Sequence, residues 1–310
     1  EQETEVVTDC AVEKITVSQK GRDTEFLVRV GGEDWLFGKL ILACGSIAGE
    51  KNADFGGYAL AKTLGHTILK PLPALVQLRC AGSFWKGLAG VRCDARIQLL
   101  ISGRGTKESY EEQGELQLTD YGISGIPVFQ LSRFAAAALD AGRQVKASID
   151  FLPGFRDNEA LWQELVEEKC TSCRQRSMEV LFGGLVNKKI IQTAVKLCGL
   201  SMGDRAERKN LPAIRKVFAL LRSFEVQVTD TNPFANAQVC AGGVPLTEVD
   251  GHLESRICPG LYLAGELLDA DGRCGGYNLQ WAWTTGYIAG KDAVLSLGKP
   301  AGQRKKGKRE

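Results

Sequence analysis

The stretch Gly260-Leu-Tyr-Leu-Ala-Gly-Glu266 constrains this chain more than any other. A short apolar run that closes on Gly-Glu reads as a buried strand with a carboxylate at its tip. A turn-rich segment follows, Asp269-Ala-Asp271-Gly-Arg-Cys-Gly275-Gly276, and a helix is expected from near Tyr277-Asn278-Leu279-Gln280 to about Leu297. A carboxylate at a strand end can accept hydrogen bonds from a sugar-alcohol chain. Paired glycines let a flat ring system lie against backbone, and a helix start offers unpaired N–H groups and the positive end of its dipole. A plain strand–loop–helix with glycine turns accounts for the same residues equally well.

A second continuous apolar run, Leu40-Ile-Leu-Ala-Cys-Gly-Ser46, reads as a central parallel strand buried on both faces. Ligands of such sheets sit at the carboxyl ends of strands, so Cys44–Ser46 is a candidate ligand edge. Before it, residues 12–17 and 26–30 read as strands; after it, residues 55–64 suggest a short helix stopped by Gly65. The character changes beyond Pro71 and Pro73. Val91, Cys93, Ala95, Ile97, Leu99 and Ile101 alternate with polar residues, as in an antiparallel strand with one wet face. Similar alternation recurs at Glu115–Thr119 and Val145–Phe151, with a helix expected from Pro127 to Leu139, so residues 74–152 suggest a small barrel. Three helical faces follow between 157 and 224, the first with a cap offered by Asp157-Asn158, and strand-like sequence returns at Glu225–Thr229.

The 310 residues, 44% hydrophobic and 25% charged, exclude a disordered chain, and no apolar run is long enough to span a bilayer as a helix. The net charge of +2 misleads, because Arg304, Lys305, Lys306, Lys308 and Arg309 against Glu310 concentrate positive charge in a terminal tail. A nucleic-acid reader usually carries its charge on a folded face, so no nucleic-acid or membrane partner is expected. The 10 cysteines are scattered and read as free thiols in a reducing cytoplasm. With only two histidines, His66 and His252, histidine-based metal sites and Ser-His-Asp catalysis are poor bets, and no metal is expected. His66, after a helix-stop glycine, reads as a surface or capping residue, and His252 as an inert residue of a polar turn.

Val239-Cys-Ala-Gly-Gly-Val244, Glu248-Val-Asp250, Gly260 through Gly272 and Gly275-Gly-Tyr-Asn-Leu-Gln280 together closely resemble the C-terminal signature of the BaiN-type, aminoacetone-oxidase-like FAD/NAD(P)-dependent flavoproteins. Ile41-Leu-Ala-Cys-Gly45 is similar to that family's Ala-Thr-Gly-Gly strand end. Gly57-Tyr58, Leu64-Gly-His66, Pro73-Ala-Leu75 and Gly122-Ile-Ser-Gly125 follow in order, so the resemblance spans roughly residues 5–295. It implies an α/β fold: a Rossmann-like FAD-binding domain, N-terminally incomplete here, interrupted by a β-barrel and a small helical insert. The expected parts are the FAD domain at 1–70 and 246–300, a barrel at 71–155 with return strands at 225–245, helices at 156–224 and the tail at 301–310. FAD and NAD(P)H are the implied cofactors. The implied function is hydride transfer from NAD(P)H through FAD to a small organic acceptor, such as an unsaturated carbonyl or steroid-like compound. Gly45, Gly265, Glu266, Gly275, Gly276, Asn278 and Leu279 are the implied cofactor-binding residues. Glu266 would hold the ribityl chain, and the helix after the paired glycines would favour anionic reduced flavin. No catalytic residue, choice of nicotinamide or oligomeric state is implied.

The departures from that pattern matter as well. No Gly-x-Gly-x-x-Gly occurs; Gly103-Arg-Gly105 lies in an expected hairpin. The chain is therefore expected to start inside the second half of the FAD domain, about a hundred residues late. A cofactor-free truncated fragment, or a binding module without catalysis, is the alternative reading. Cys44 and Ser46 stand where the family has Thr and Gly, and Asp120 replaces a frequent His, leaving Asp120 or Tyr121 as the substitute proton donor. Cys170-Thr-Ser-Cys173 lies late in a helical pattern without two further zinc ligands, so it reads as structural, with a zinc- or RNA-binding role through it and the tail a weaker option. Cys274 reads as packing beside the glycines.

Overall fold

The computed structural model describes residues 4–20, 23–51, 55–103, 105–172 and 174–297. The chain divides into two compact units, residues 1–72 with 239–310, and residues 73–238. The basic tail and Cys173 lie outside the described residues.

The first unit opens with an antiparallel sheet of β1 (Val12–Lys20), β2 (Asp23–Val30) and β3 (Glu33–Phe37). Ile15 faces Val28 and Val17 faces Phe26 across the first pair, and Ile15, Phe26 and Val28 are buried. β3 carries almost no buried side chain, so its sequence offers no alternation to read. β4 (Leu40–Leu42) follows, then α1 (Gly56–Thr63), which ends against Gly65 as expected, and β5 (Leu69–Ala74), which runs across the boundary between the units.

The second unit is built on a closed barrel. Its elements in chain order are β6 (Leu78–Cys80), α2 (Trp85–Leu88), β7 (Arg92–Gly103), β8 (Thr106–Leu118), β9 (Gly122–Ser124), α3 (Ile126–Asp140) and β10 (Gln144–Asp150). After them come α4 (Glu159–Ser172), α5 (Met178–Phe182), α6 (Lys188–Leu197), α7 (Leu211–Arg222) and β11 (Phe224–Thr231). The barrel closes in the order β10-β11-β6-β9-β8-β7. The alternation at 91–101 puts Ala95, Ile97, Leu99 and Ile101 inside, and Gly103 pairs Thr106 at the turn of the β7–β8 hairpin. α3 buries its small face, Ala135, Ala136 and Ala138, against barrel strands. Gly125, just before it, has φ +105°, and an added Cβ would collide with the Glu115 carbonyl oxygen of β8, which explains part of the Gly122-Ile-Ser-Gly125 motif. The cap expected at Asp157-Asn158 is present: Asn158 Oδ1 accepts from the Leu161 N–H at 2.9 Å. Helices and barrel share one core in which Trp162, Phe182 and Phe218 pack edge to face or tilted, with ring centroids 4.8–5.7 Å apart.

The chain then returns to the first unit through β12 (Val239–Gly243), β13 (Leu261–Leu263) and α8 (Tyr277–Ser296). β12 pairs β5, and β13 pairs β4 in parallel, with Leu40, Ile41 and Leu42 facing Leu261, Tyr262 and Leu263. The expected parallel strand at Leu40 is therefore present, but not buried on both faces: Ile41 is 38% exposed. Among the described residues the sheet holds only these two strands, and a two-stranded pair covers one face. The α/β arrangement with a β-barrel insert implied by the resemblance is the one the structure has. No helix among the described residues is long and apolar enough to cross a membrane.

Candidate functional site

Parallel pairing puts the carboxyl ends of β4 and β13 side by side, and the chain leaves both through glycine. Gly45 (φ +72°) and Gly265 (φ +70°) sit in the left-handed region that side chains rarely adopt. A Cβ added at Gly45 would meet nothing within 4 Å, so the backbone there is open to close approach. One residue beyond each glycine, Ser46 Oγ donates to Glu266 Oε2 at 2.8 Å. The Ala48 N–H donates to Ser46 Oγ at 3.3 Å, which fixes the hydroxyl's direction.

Two more groups border this pair. Burial pushes the Cys240 thiol up to about 11, despite hydrogen bonding to Ser46 and to the Ile47 and Ala48 backbone, so the thiol stays protonated at neutral pH. Tyr58, on α1, is buried, and its hydroxyl sits within the influence of Cys240 and Glu266; burial raises its pKa first, and those two groups add to it. α1 reaches this position because Gly57 has no side chain: a Cβ there would lie 2.6 Å from Cys44 Cβ.

The start of α8 is tied to the same edge. Trp281 Nε1 donates to the Gly265 carbonyl at 3.0 Å, and the Gly265 N–H donates to Thr285 Oγ1 at 2.8 Å. Gly276 (φ +90°) caps the helix without a side chain to satisfy the first-turn N–H groups. The anticipated residues thus fall into two sets: Gly45, Gly265 and Glu266 at the strand ends, and Gly275, Gly276, Asn278 and Leu279 in the loop and first turn of α8. Asn278 uses both ends of its amide on Gly272, accepting from its N–H at 2.7 Å and donating to its carbonyl at 3.1 Å. Its side chain shapes the loop. Leu279 is 61% exposed. Ser46 falls on the anticipated Cys44–Ser46 edge, and Tyr58 and Cys240 fall in stretches that follow the family's pattern; Trp281 and Thr285 join the site without a sequence signal, because their positions depend on long-range packing.

His66 is a correction to the sequence reading: it is neither a surface nor a capping residue. Its side chain is 0% exposed, with Nδ1 2.8 Å from Glu248 Oε2 and Nε2 2.9 Å from Ser255 Oγ. Ser255 Oγ accepts from the N–H groups of Ile257 and Cys258, so its own proton goes to Nε2, and Nδ1–H donates to the carboxylate. Full satisfaction of the ring is what permits its burial. Burial alone would raise the Glu248 carboxyl, but hydrogen bonds from Thr67 and His66 outweigh it and hold the group below its ordinary value. Two N–H groups on Ser255 and the absence of exposure make this a clasp between residue 66 and the 248–258 segment, not a nucleophile. His252 is exposed, in a turn where its N–H donates to Asp250 Oδ1.

In the second unit, the two proton-donor candidates differ. Asp120 is exposed. Tyr121 lies under the Arg79 guanidinium, 5.1 Å from ring centroid to Cζ, and its hydroxyl accepts from Asn232 Nδ2 at 3.0 Å. Cys170 is buried at the end of α4. Cys274 is half-buried, and burial raises its thiol. Among the described residues no three His, Cys, Asp or Glu side chains gather as a metal site.

The profile described as HI0933-like protein Rossmann domain matches residues 1–292. The chain is 40% identical over 295 residues to the 3-dehydro-bile acid delta(4,6)-reductase of Clostridium scindens, covering 94% of this chain and 70% of that protein. It is 28% identical over 281 residues to the ribosomal RNA dihydrouridine synthase of Haemophilus influenzae, covering 89% of this chain and 64% of that protein. To the Escherichia coli protein of the same name it is 26% identical over 277 residues, covering 88% and 65%. The chain therefore spans about two thirds of the length of these relatives.

Proposed function

This chain belongs to the HI0933-like Rossmann family, a family of FAD-dependent oxidoreductases, and from that premise we propose that it passes hydride from NADH or NADPH through FAD to a small unsaturated carbonyl compound. The observation that carries the reading is the Ser46–Glu266 pair between two glycine exits of a parallel strand pair. FAD, when bound, supplies the two-electron chemistry.

The residues present suit that cofactor. Ser46 holds Glu266 Oε2 and leaves Oε1 to accept from the hydroxyls of a ribityl chain. Gly45 and Gly276 offer open backbone where a Cβ would meet nothing within 4 Å, as a flat ring system needs. The uncapped N–H groups at the start of α8 favour negative charge on a bound group. The hydrogen bonds from Trp281 and to Thr285 hold Gly265 in place.

The relatives' names support an acceptor whose carbon–carbon double bond is reduced: one is a delta(4,6)-reductase of a bile acid, two are dihydrouridine synthases. Identity of 40% against 28% and 26% favours a conjugated steroid-like ketone over RNA. A reducing cytoplasmic setting suits the free thiols among the described residues, such as Cys80, Cys93 and Cys240.

The test is spectroscopic. Anaerobic NADH or NADPH should bleach the flavin band of the FAD-reconstituted protein, and a conjugated steroid ketone should restore it while uridine-containing RNA does not. A band that neither nicotinamide bleaches would overturn the proposed route of electrons. Restoration by RNA alone would overturn the acceptor class.

A further inference from the structure

We propose that the Tyr58 hydroxyl is a direct hydrogen-bond donor to the bound flavin cofactor, an inference that rests on the function proposed above. Tyr58 is 4% exposed, and its hydroxyl is buried with no hydrogen-bond partner. The other buried atoms in that condition among the described residues are Thr119 Oγ1 and the Nε atoms of Arg143 and Arg222. Both guanidiniums are anchored through their terminal nitrogens, Arg143 to Glu108 and Arg222 to Glu159. Tyr58 and Thr119 each have their whole polar group left over, and of the two only Tyr58 belongs to the unit that carries the Ser46–Glu266 pair.

Phenylalanine would fill the same volume without that hydroxyl. A buried phenol that meets nothing in the protein is unfavourable for the fold, so its place is explained by something it meets elsewhere. Its location says what. Gly57 presses the start of α1 onto Cys44, in the exit from β4, and lies 3.8 Å from Leu267 Cδ1, in the turn after β13, as measured from an added Cβ. The phenol is thereby set beside the Ser46–Glu266 pair that would hold the cofactor's sugar-alcohol chain. Burial, then Cys240 and Glu266, keep it protonated, so it acts as a neutral donor with its hydrogen free. A neutral donor beside a carboxylate acceptor matches a ligand that presents both hydroxyls and acceptor oxygens. The rival occupant is a single water molecule.

Tyr58→Phe separates the possibilities. FAD is titrated into wild type and variant, followed by the visible flavin spectrum, and the melting temperature of each flavin-free protein is recorded. The expected result is FAD affinity weakened roughly tenfold, as for one lost hydrogen bond at a buried site, with a flavin-free melting temperature equal to or above wild type. Equal FAD affinity in the two proteins would overturn the inference and leave a water as the partner. Weaker affinity with a lower flavin-free melting temperature would also overturn it, because the hydroxyl would then serve the fold. A wild-type chain that takes up no FAD would overturn the proposed function itself.

Discussion

Ser46 and Glu266, separated by 220 positions in the sequence, meet at 2.8 Å across the carboxyl ends of β4 and β13. The bond does two things at once: it joins the two strand exits and it holds the Glu266 carboxylate through one of its oxygens. Removing the donor should loosen both. Ser46→Ala should cost about 1 kcal/mol of stability in the flavin-free protein, the ordinary value of such a bond when it is part-buried. Urea denaturation reads this directly, and an unshifted midpoint would show that the pair has no role in the fold.

The clasp around His66 should matter more, because its members are more deeply buried. His66→Ala removes the ring that both Glu248 and Ser255 face, leaving the Glu248 carboxylate only its bonds with Thr67 and Ser255 Oγ only the N–H groups of Ile257 and Cys258. A loss of about 2–3 kcal/mol is expected, from unsatisfied buried groups plus a cavity. A loss below about 0.5 kcal/mol, the range of surface substitutions, would mean that the ring is not held as described.

The same clasp sets a pH dependence. The native Glu248 carboxyl titrates below its ordinary value, so its contribution is fully present above the unfolded value of about 4.3 and is lost as pH falls through the lower native value. Wild type should therefore lose its advantage over Glu248→Gln as the solution is acidified from neutrality. Denaturation midpoints of both proteins at several pH values check this; a gap that stays constant or widens in acid would contradict it.

How much of the molecule is legible in its sequence varies with the range of the interactions. The alternation at Ala95, Ile97, Leu99 and Ile101 reveals the barrel strand because an antiparallel strand with one wet face writes its burial into every second residue. β3 and α5 are not legible, the first because its pattern is nearly all exposed and the second because five residues are too few to show a period. At the site, Glu266 and the glycines stand out by local chemistry. Tyr58 and Cys240 do not, since nothing near them in sequence says that α1 and β12 bring them to the ends of β4 and β13. His66 reads wrongly from sequence for the same reason: Glu248 and Ser255, its partners, lie more than 180 positions away.

Thiol reactivity offers an independent check on burial. Burial pushes Cys80 up to about 12 and Cys93 and Cys240 up to about 11, whereas Cys10 is exposed. Iodoacetamide on the native protein near pH 8 should modify Cys10 first and leave Cys80 and Cys240 unmodified, since the thiolate is the reactive form. Peptide mass spectrometry gives the order. Early modification of Cys240 would mean that its thiol is not buried as the structure has it.

The central claim is that the ends of β4 and β13 grip a flavin through Glu266, and the most direct measurement is an FAD titration of wild type against Glu266→Ala, followed by flavin fluorescence. The account predicts saturable binding in wild type and affinity at least roughly tenfold weaker in the variant, about 1.4 kcal/mol or more. Equal affinity in the two proteins, or no saturable binding in wild type, would contradict it.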